Sequence, residues 1–200
     1  IIQLMQNVDD DKIESHVDSI LNLAAQQKAI IFDMRGYPQW SGFMYTYLYK
    51  KFGTLDQRFA KYVKADLNNI GTYNWINSPE VYNNVDIVPE HVVYKGKVAI
   101  IVNARTRSLS EWNTMGLQSM FPQAITIGEQ TSGGDGDEKH FNIPGNYNIH
   151  FTGNAIYYND GTSAQGVGVK IDKKMKFTKA DILEGKDTFL EYAIDKIGKP

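Results

Sequence analysis

The stretch KVAIIVNARTRSLSEWNTMGLQSMFPQAITIGEQTSGG, Lys97 to Gly134, decides how the rest of the chain is read. Val98 to Val102 is an unbroken apolar run rich in β-branched residues, the pattern of a strand buried on both faces of a parallel sheet. Asn103 to Arg107 is a polar connector. Ser108 opens a helix in which Trp112, Met115, Gly116 and Met120 recur at helical spacing. Ala124 to Ile127 is a second apolar run, closed by Gly128 and a loop from Glu129 to Gly136. Strand, polar turn, helix and strand make one βαβ unit. Its serine falls between the carboxyl end of a strand and the amino end of a helix, the edge at which open α/β sheets bind ligands. A helix N-terminus offers free N–H groups and a positive dipole end, suited to a developing oxyanion. The plainer reading of Ser108 is an N-cap. Ser108-Leu-Ser-Glu111 matches a capping box, and on this stretch alone capping is the commoner role.

Upstream, Ile1 to Met5 reads as a short strand. Asp9-Asp10-Asp11 favours a helix start. That helix runs to about Gln27, with Ile13, Val17, Ile20, Leu21 and Ala24 on one face and His16 beside it as an ordinary structural histidine. Ala29 to Phe32 is the next buried strand and completes a first βαβ unit. Asp33-Met-Arg-Gly-Tyr-Pro38 closes it in a charged turn that brings backbone N–H groups to the sheet's carboxyl edge. The plainer reading of this turn is an Asp–Arg pair serving structure. Ser41 to Phe52 reads as an aromatic-rich helix, and Arg58 to Ala65 alternates like an exposed strand. Leu67 to His91 is a long polar and aromatic excursion, a lid or a structural flap. Val92 to Tyr94 reads as a strand.

Downstream come short strands at Glu138 to Ile143, Tyr147 to Phe151 and Ala155 to Tyr158. Pro144-Gly-Asn and Asn159-Asp-Gly161 supply the turns. Gln165-Gly-Val-Gly168 is a further turn, Val169 to Ile171 a strand, and Asp187 to Ile197 a terminal helix. The expected fold class is α/β, with a mostly parallel sheet and flanking helices.

Composition narrows the function. Two hundred residues, 42% of them apolar, suit one domain, or one plus a small appendage, with a substantial core. A net charge of −2 gives no electrostatic case for nucleic acid or an anionic membrane, and no apolar run approaches the length of a membrane span. Without cysteine there is no thiolate nucleophile and no Cys-based metal site. The four histidines are scattered, with no His-x-x-x-His pair, so no metal or other cofactor is expected. The chain begins at Ile1 on a strand, without an initiator Met or a signal-like segment, and reads as a fragment of a longer protein.

Five segments in order, IIFDMRGYP, VAIIVNARTRSLSEW, AITIGEQTSGGDG, IYYNDGTSAQGVGVKID and DILEGKDTFLEYAI, resemble the tail-specific, or C-terminal processing, serine proteases. The resemblance spans about Ala29 to Ile197. It implies the crotonase-like ββα fold shared with the Clp protease. It also implies a serine peptidase acting on peptide or unfolded protein, in an extracytoplasmic setting, with a peptide-binding domain commonly preceding the catalytic one. The family's nucleophile is the first serine of a Ser-x-Ser-Glu pattern, which is Ser108 here and not Ser110. Its oxyanion hole uses the N–H after the nucleophile, here Leu109, and a second donor from the turn after the Asp-x-Arg strand, here among Gly36 to Trp40. Where the family's usual turn is Asn-Pro-Gly-Gly, this chain has Tyr37-Pro38-Gln39-Trp40. Pro38 has no N–H, so the donor falls to Gly36, Gln39 or Trp40.

The base departs further. The bacterial members use a Lys in a Phe-Gly-Lys-Gly turn after Gly-Glu-x-Thr. In Gly128-Glu-Gln-Thr-Ser-Gly-Gly-Asp-Gly136 that position falls on Gly134 or Asp135. The chain is in this respect similar to the tricorn-like branch, whose base is a His from an earlier segment, here upstream of Ile1. Within the chain the candidates for a base or an orienting group are His140, with its neighbour Lys139, then His91 and His150, and Glu129 and Gln165, which occupy family motif positions. For each histidine the plainer reading is structural. A serine hydroxyl without a base is a poor nucleophile, so a degenerate relative that grips peptide without cutting it is the second reading. Acyl-thioester chemistry on the same fold is the third, disfavoured by the Ser-x-Ser-Glu and Gly-Glu-x-Thr motifs.

Overall fold

The computed structural model describes residues 2–3, 10–37, 48–52, 59–77 and 92–198. Its centre is a sheet in which strands β1 (Ile2–Gln3), β2 (Ala29–Asp33), β5 (Lys97–Val102), β6 (Ile125–Gly128) and β10 (Lys173–Lys174) lie in that order. Every pairing in it is parallel, with Phe32 beside Ile100 and Ile101 beside Ile127. The two expected strands are therefore neighbours, and both end at the same edge.

Alternation along the strands sends side chains to two cores, as a period of two requires. Ile30, Phe32, Val98, Ile100 and Val102 face one side. There they pack against helix α1 (Asp10–Ala25) through Val17, Leu21 and Ala24, and against helix α3 (Leu109–Met120) through Met115, Leu117 and Met120. Ile31, Ala99, Ile101 and Ile127 face the other side and meet Phe189, Ala193 and Ile197 of helix α5 (Thr188–Gly198). Helices on both faces of a parallel sheet are the packing that the continuous apolar runs call for. Among the side chains described on helix α1, Ile20 departs from expectation: it is exposed, and the buried stripe runs through Val17, Leu21 and Ala24.

A second layer is antiparallel. Strand β3 (Ala60–Ala65) lies between β4 (Tyr73–Asn77) and β9 (Ala155–Tyr158). The 67–91 excursion begins with a turn in which Asp66 accepts Asn68 N–H at 2.9 Å and continues into the regular strand β4; residues 78–91, His91 among them, lie outside the described residues. Strands β7 (Glu138–Ile143) and β8 (Tyr147–Thr152) form a solvent-exposed hairpin.

Two expected strands are corrected. Residues 92–94 are irregular: Val92 N–H donates to the Lys51 carbonyl beside the short helix α2 (Lys50–Phe52), and the Tyr94 ring is buried. Residues 169–171 are likewise irregular, because Val169 N–H goes to the Thr131 hydroxyl and Lys170 N–H to the Tyr158 hydroxyl instead of to a neighbouring strand. The strand that joins the sheet comes later, at Lys173. Of the expected 41–52 helix, the described part is 48–52. Helix α4 (Lys179–Glu184), capped by Thr178, was not anticipated.

The Asp33-x-Arg35 turn is structural. Arg35 holds Asp33 through Nε and Nη2, at 2.9 and 2.7 Å, and grips Asp187 through both terminal nitrogens, at 2.8 and 2.7 Å. Asp187 in turn accepts Leu190 N–H at the start of α5. Burial works against the ionised Asp187, but the Arg35 and backbone hydrogen bonds outweigh it and hold its carboxyl below the usual range. The stabilisation is therefore present above the unfolded carboxyl pKa and is lost as pH falls through the lower folded one. Asp187→Asn is expected to cost only about 1 kcal/mol at pH 7, since a side chain 37% exposed is screened by solvent. Urea denaturation at pH 7 and pH 3 checks this: the gap between wild type and variant shrinks at the lower pH.

Candidate active site

Three segments converge at the carboxyl edge of the sheet. The carbonyl of Met34, just past β2, accepts the Thr106 hydroxyl and the Ser110 hydroxyl, each at 3.0 Å. Both hydroxyls are buried. They tie the end of β2 to the β5–α3 turn and place Gly36 at the same edge as Ser108. Ser110 is thereby committed to structure, while Ser108 is left facing a pocket.

Ser108 is the residue before α3, and its backbone is not that of an ordinary cap. At φ 49° and ψ −124° it occupies a region that glycine favours. Its hydroxyl lies capping-box fashion toward the N3 amide but forms no side-chain cap hydrogen bond. The reciprocal arm is present, with Ser108 N–H donating to Glu111 Oε2 at 3.2 Å. No histidine or lysine among the described residues bonds the Ser108 hydroxyl. The Leu109 N–H, at the first turn of the helix, likewise has no acceptor among them.

Glu111 joins the two motifs of the quoted stretch. It is fully buried, and its carboxylate accepts the Thr131 hydroxyl at 2.6 Å, Gly133 N–H at 2.8 Å and Ser108 N–H. Thr131 passes the connection on by accepting Val169 N–H at 2.9 Å. The close approach of these loops needs glycine at 168, where φ is 94° and a Cβ would stand 2.4 Å from the Thr131 hydroxyl. Ser-x-Ser-Glu and Gly-Glu-x-Thr are thus two halves of one hydrogen-bonded frame.

The pocket beside Ser108 has a volume of about 290 Å³. Leu109 borders it at the helix start, Tyr62, Trp112 and Ile156 wall it, and Asp135, Gly136, Asp137 and Asn154 form its polar side. Phe59 meets Trp112 edge to face, at 4.6 Å between ring centres, and fixes that wall. Asp135 is 3% exposed; its Oδ1 accepts Gly136 N–H at 2.8 Å, and its Oδ2 has no hydrogen-bond partner among the described residues. Burial, with the nearby Glu111 charge, pushes its pKa up to about 7 against the opposing Gly136 hydrogen bond. A larger hollow of about 370 Å³ lies farther along α3, between Phe59, Gln118, Tyr158 and Lys170, and does not include Ser108.

The remaining candidates fall as follows. Gln39, Trp40 and His91 lie outside the described residues. Gly36 has φ 133°. His140 sits on the exposed hairpin with its ring 5.9 Å from that of His150, which bonds Glu138 at 2.7 Å, so neither is brought to Ser108. Lys139 bonds Asp137 at 3.4 Å. Glu129 pairs by its backbone with Val102, and Gln165 has a buried Oε1 without a partner among the described residues. Asp135, Glu111 and the aromatic walls were not singled out as site residues from sequence. The pointers to Asp135 were an acid set among glycines in a loop leaving the sheet's carboxyl edge and its place at or beside the position of the family's lysine. Among the described residues no cluster of three or more His, Asp or Glu is placed to hold a metal, and no helix is long and apolar enough to cross a membrane.

The family model of peptidase family S41 matches residues 2–175. The chain belongs to peptidase family S41. Solved structures agree in fold. A candidate peptidase from Parabacteroides merdae is 18% identical with a TM-score of 0.70, over 98% of this chain and 58% of that one. Mature CPAF complexed with lactacystin is 16% identical with a TM-score of 0.72, over 98% and 49%. The photosystem II D1 C-terminal processing protease is 15% identical with a TM-score of 0.53, over 96% and 44%. The S41 chain described here therefore spans about half the length of these relatives. Among curated proteins none matches its sequence.

Proposed function

We propose that this S41 domain is the catalytic domain of a serine peptidase that cleaves peptide or unfolded protein through an acyl-enzyme on Ser108. The observation that carries the reading is Ser108 itself, a strained residue at the β5–α3 junction that borders a pocket and closes no side-chain cap hydrogen bond, beside a Leu109 N–H with no acceptor among the described residues. Backbone strain of this kind is costly and clusters where function needs it. In this reading Ser108 attacks the scissile carbonyl, and Leu109 N–H and a donor from the turn at Gly36 hold the oxyanion at the positive end of α3. The base comes from a segment outside the described residues, in line with a histidine upstream of Ile1. Work on peptide tails and an extracytoplasmic location rest on the family resemblance.

A serine-directed fluorophosphonate probe on the full-length protein tests this. Ser108 is labelled in the wild type. Ser110→Ala retains labelling but loses about 1 kcal/mol of stability, because its hydroxyl anchors the Met34 carbonyl. A wild type that never labels means a peptide-binding relative without peptidase activity.

A further inference from the structure

We propose that the pocket beside Ser108 is a specificity subsite for a basic side chain, with Asp135 as its counter-charge, so that the enzyme cleaves after Lys or Arg. The inference rests on Ser108 being the nucleophile of a serine peptidase. A peptide whose carbonyl reaches Ser108, with its oxygen toward Leu109 N–H, directs the side chain on the carbonyl side of the bond into the space those two residues border. Its volume of about 290 Å³ accommodates one long side chain. The rings of Tyr62 and Trp112 suit the aliphatic stem of Lys or Arg; the Tyr62 ring already takes a cation, with Lys64 Nζ 5.3 Å from its centre. Among the described residues, those that line it include two carboxylates, Asp135 and Asp137, and no Lys or Arg.

Asp135 is the telling residue. A carboxyl group this deeply buried normally finds several donors. Here one oxygen takes only the N–H of the next residue, and the other takes none among the described residues. Among the described residues the groups around it give it no cation: Glu111 from α3 and Tyr158 from β9 act on it electrostatically, and Asp137 at the rim already holds Lys139 and Asn154. Burial raises its pKa to about 7, so the group is half neutral at physiological pH. An arriving ammonium or guanidinium favours the ionised form and displaces the proton to solvent.

This gives a pH signature. Below pH 7 Asp135 is neutral and attracts no cation; above pH 7 it is ionised and does. The ratio of kcat/KM for a peptide with Arg before the scissile bond to that for the same peptide with Leu therefore climbs by up to about tenfold per pH unit as pH approaches 7 from below, and levels off above it. Asp135→Asn lowers the ratio on the order of 100-fold at pH 8 and removes its pH dependence. Asp160→Asn, an exposed carboxylate paired with Lys170 outside the pocket, leaves the ratio unchanged.

The experiment uses the full-length protein and the matched Arg and Leu peptides between pH 5.5 and 8.5. The wild-type profile alone decides the matter if Asp135→Asn fails to fold. Cleavage of both peptides with no basic preference, or with a ratio flat in pH, overturns the subsite and leaves the peptidase reading standing. Absence of cleavage and of fluorophosphonate labelling overturns both together.

Discussion

Replacing Ser108 with alanine is expected to abolish fluorophosphonate labelling and peptide cleavage, and replacing it with glycine to do the same while raising the melting temperature. Loss of a nucleophilic serine of this kind costs on the order of a millionfold in kcat, because a methyl group or a hydrogen has no lone pair to attack with. The stability effect follows from the backbone. Ser108 sits at φ 49° and ψ −124°, where a Cβ is strained and glycine is not. Relief of that strain, offset in part by the greater freedom of glycine in the unfolded chain, leaves Ser108→Gly about 1 kcal/mol more stable than wild type, or roughly 2 to 4 °C in Tm. Sequence alone argues for a small loss of stability in Ser108→Ala through a lost N-cap. The structure revises this to a near-neutral change, because the hydroxyl closes no cap hydrogen bond. A glycine variant less stable than wild type contradicts the strain account, and an alanine variant that still labels moves the nucleophile to another serine.

Glu111→Ala is expected to cost about 3 to 5 kcal/mol, the range seen when one partner of a buried charged network is removed. The carboxylate is the common acceptor for Ser108 N–H, the Thr131 hydroxyl and Gly133 N–H in a fully buried site. Without it those donors stay behind with no acceptor, and two loops lose the link that sets their spacing. Urea denaturation reads the stability. The labelling rate, measured at a temperature where the variant is folded, reads the geometry and falls by about 100-fold, since displacements near 1 Å at a reacting centre have that effect. Glu111→Gln keeps an acceptor oxygen but turns an amide N–H₂ toward two donors, and is expected to fall between wild type and Glu111→Ala in both measurements. If Glu111→Ala denatures at the wild-type urea concentration, the network does not hold the loops together.

Much of the central layer is legible in local patterning. Val98 to Val102 and Ala29 to Phe32 are unbroken apolar runs, and burial on both faces is the only environment that suits them, so a parallel sheet with helices above and below follows. The helices α1, α3 and α5 follow from 3.6-residue periodicity, and the hairpin of β7 and β8 from its turn residues. The edge carrying Ser108 follows from topology, since parallel neighbours must end on the same side. The family is legible as well, because its motifs are short, ordered and chemically specific.

What local pattern misses is fixed by partners far away in the chain. Residues 169–171 look like a strand by composition, yet their N–H groups go to the hydroxyls of Thr131 and Tyr158, and the sheet takes Lys173 instead. Sequence leaves Ser108 fit to cap or, by resemblance, to attack, and says nothing of what Ser110 bonds; the Met34 carbonyl, contributed by another strand, claims Ser110, and Ser108 faces the pocket. An aspartate in a Gly-Gly-Asp-Gly loop, at or beside the position of the family's lysine, shows no burial in its sequence, and only the packing of β3, α3 and β9 near it buries Asp135 and shifts its pKa. Sequence by itself determined the central strands β2, β5 and β6, the edge that carries the candidate site and the family the chain belongs to, because burial periodicity and motif order are local properties. Tertiary structure decided which serine is free and which carboxyl is buried, because solvation and hydrogen-bond competition depend on atoms brought together from distant parts of the chain.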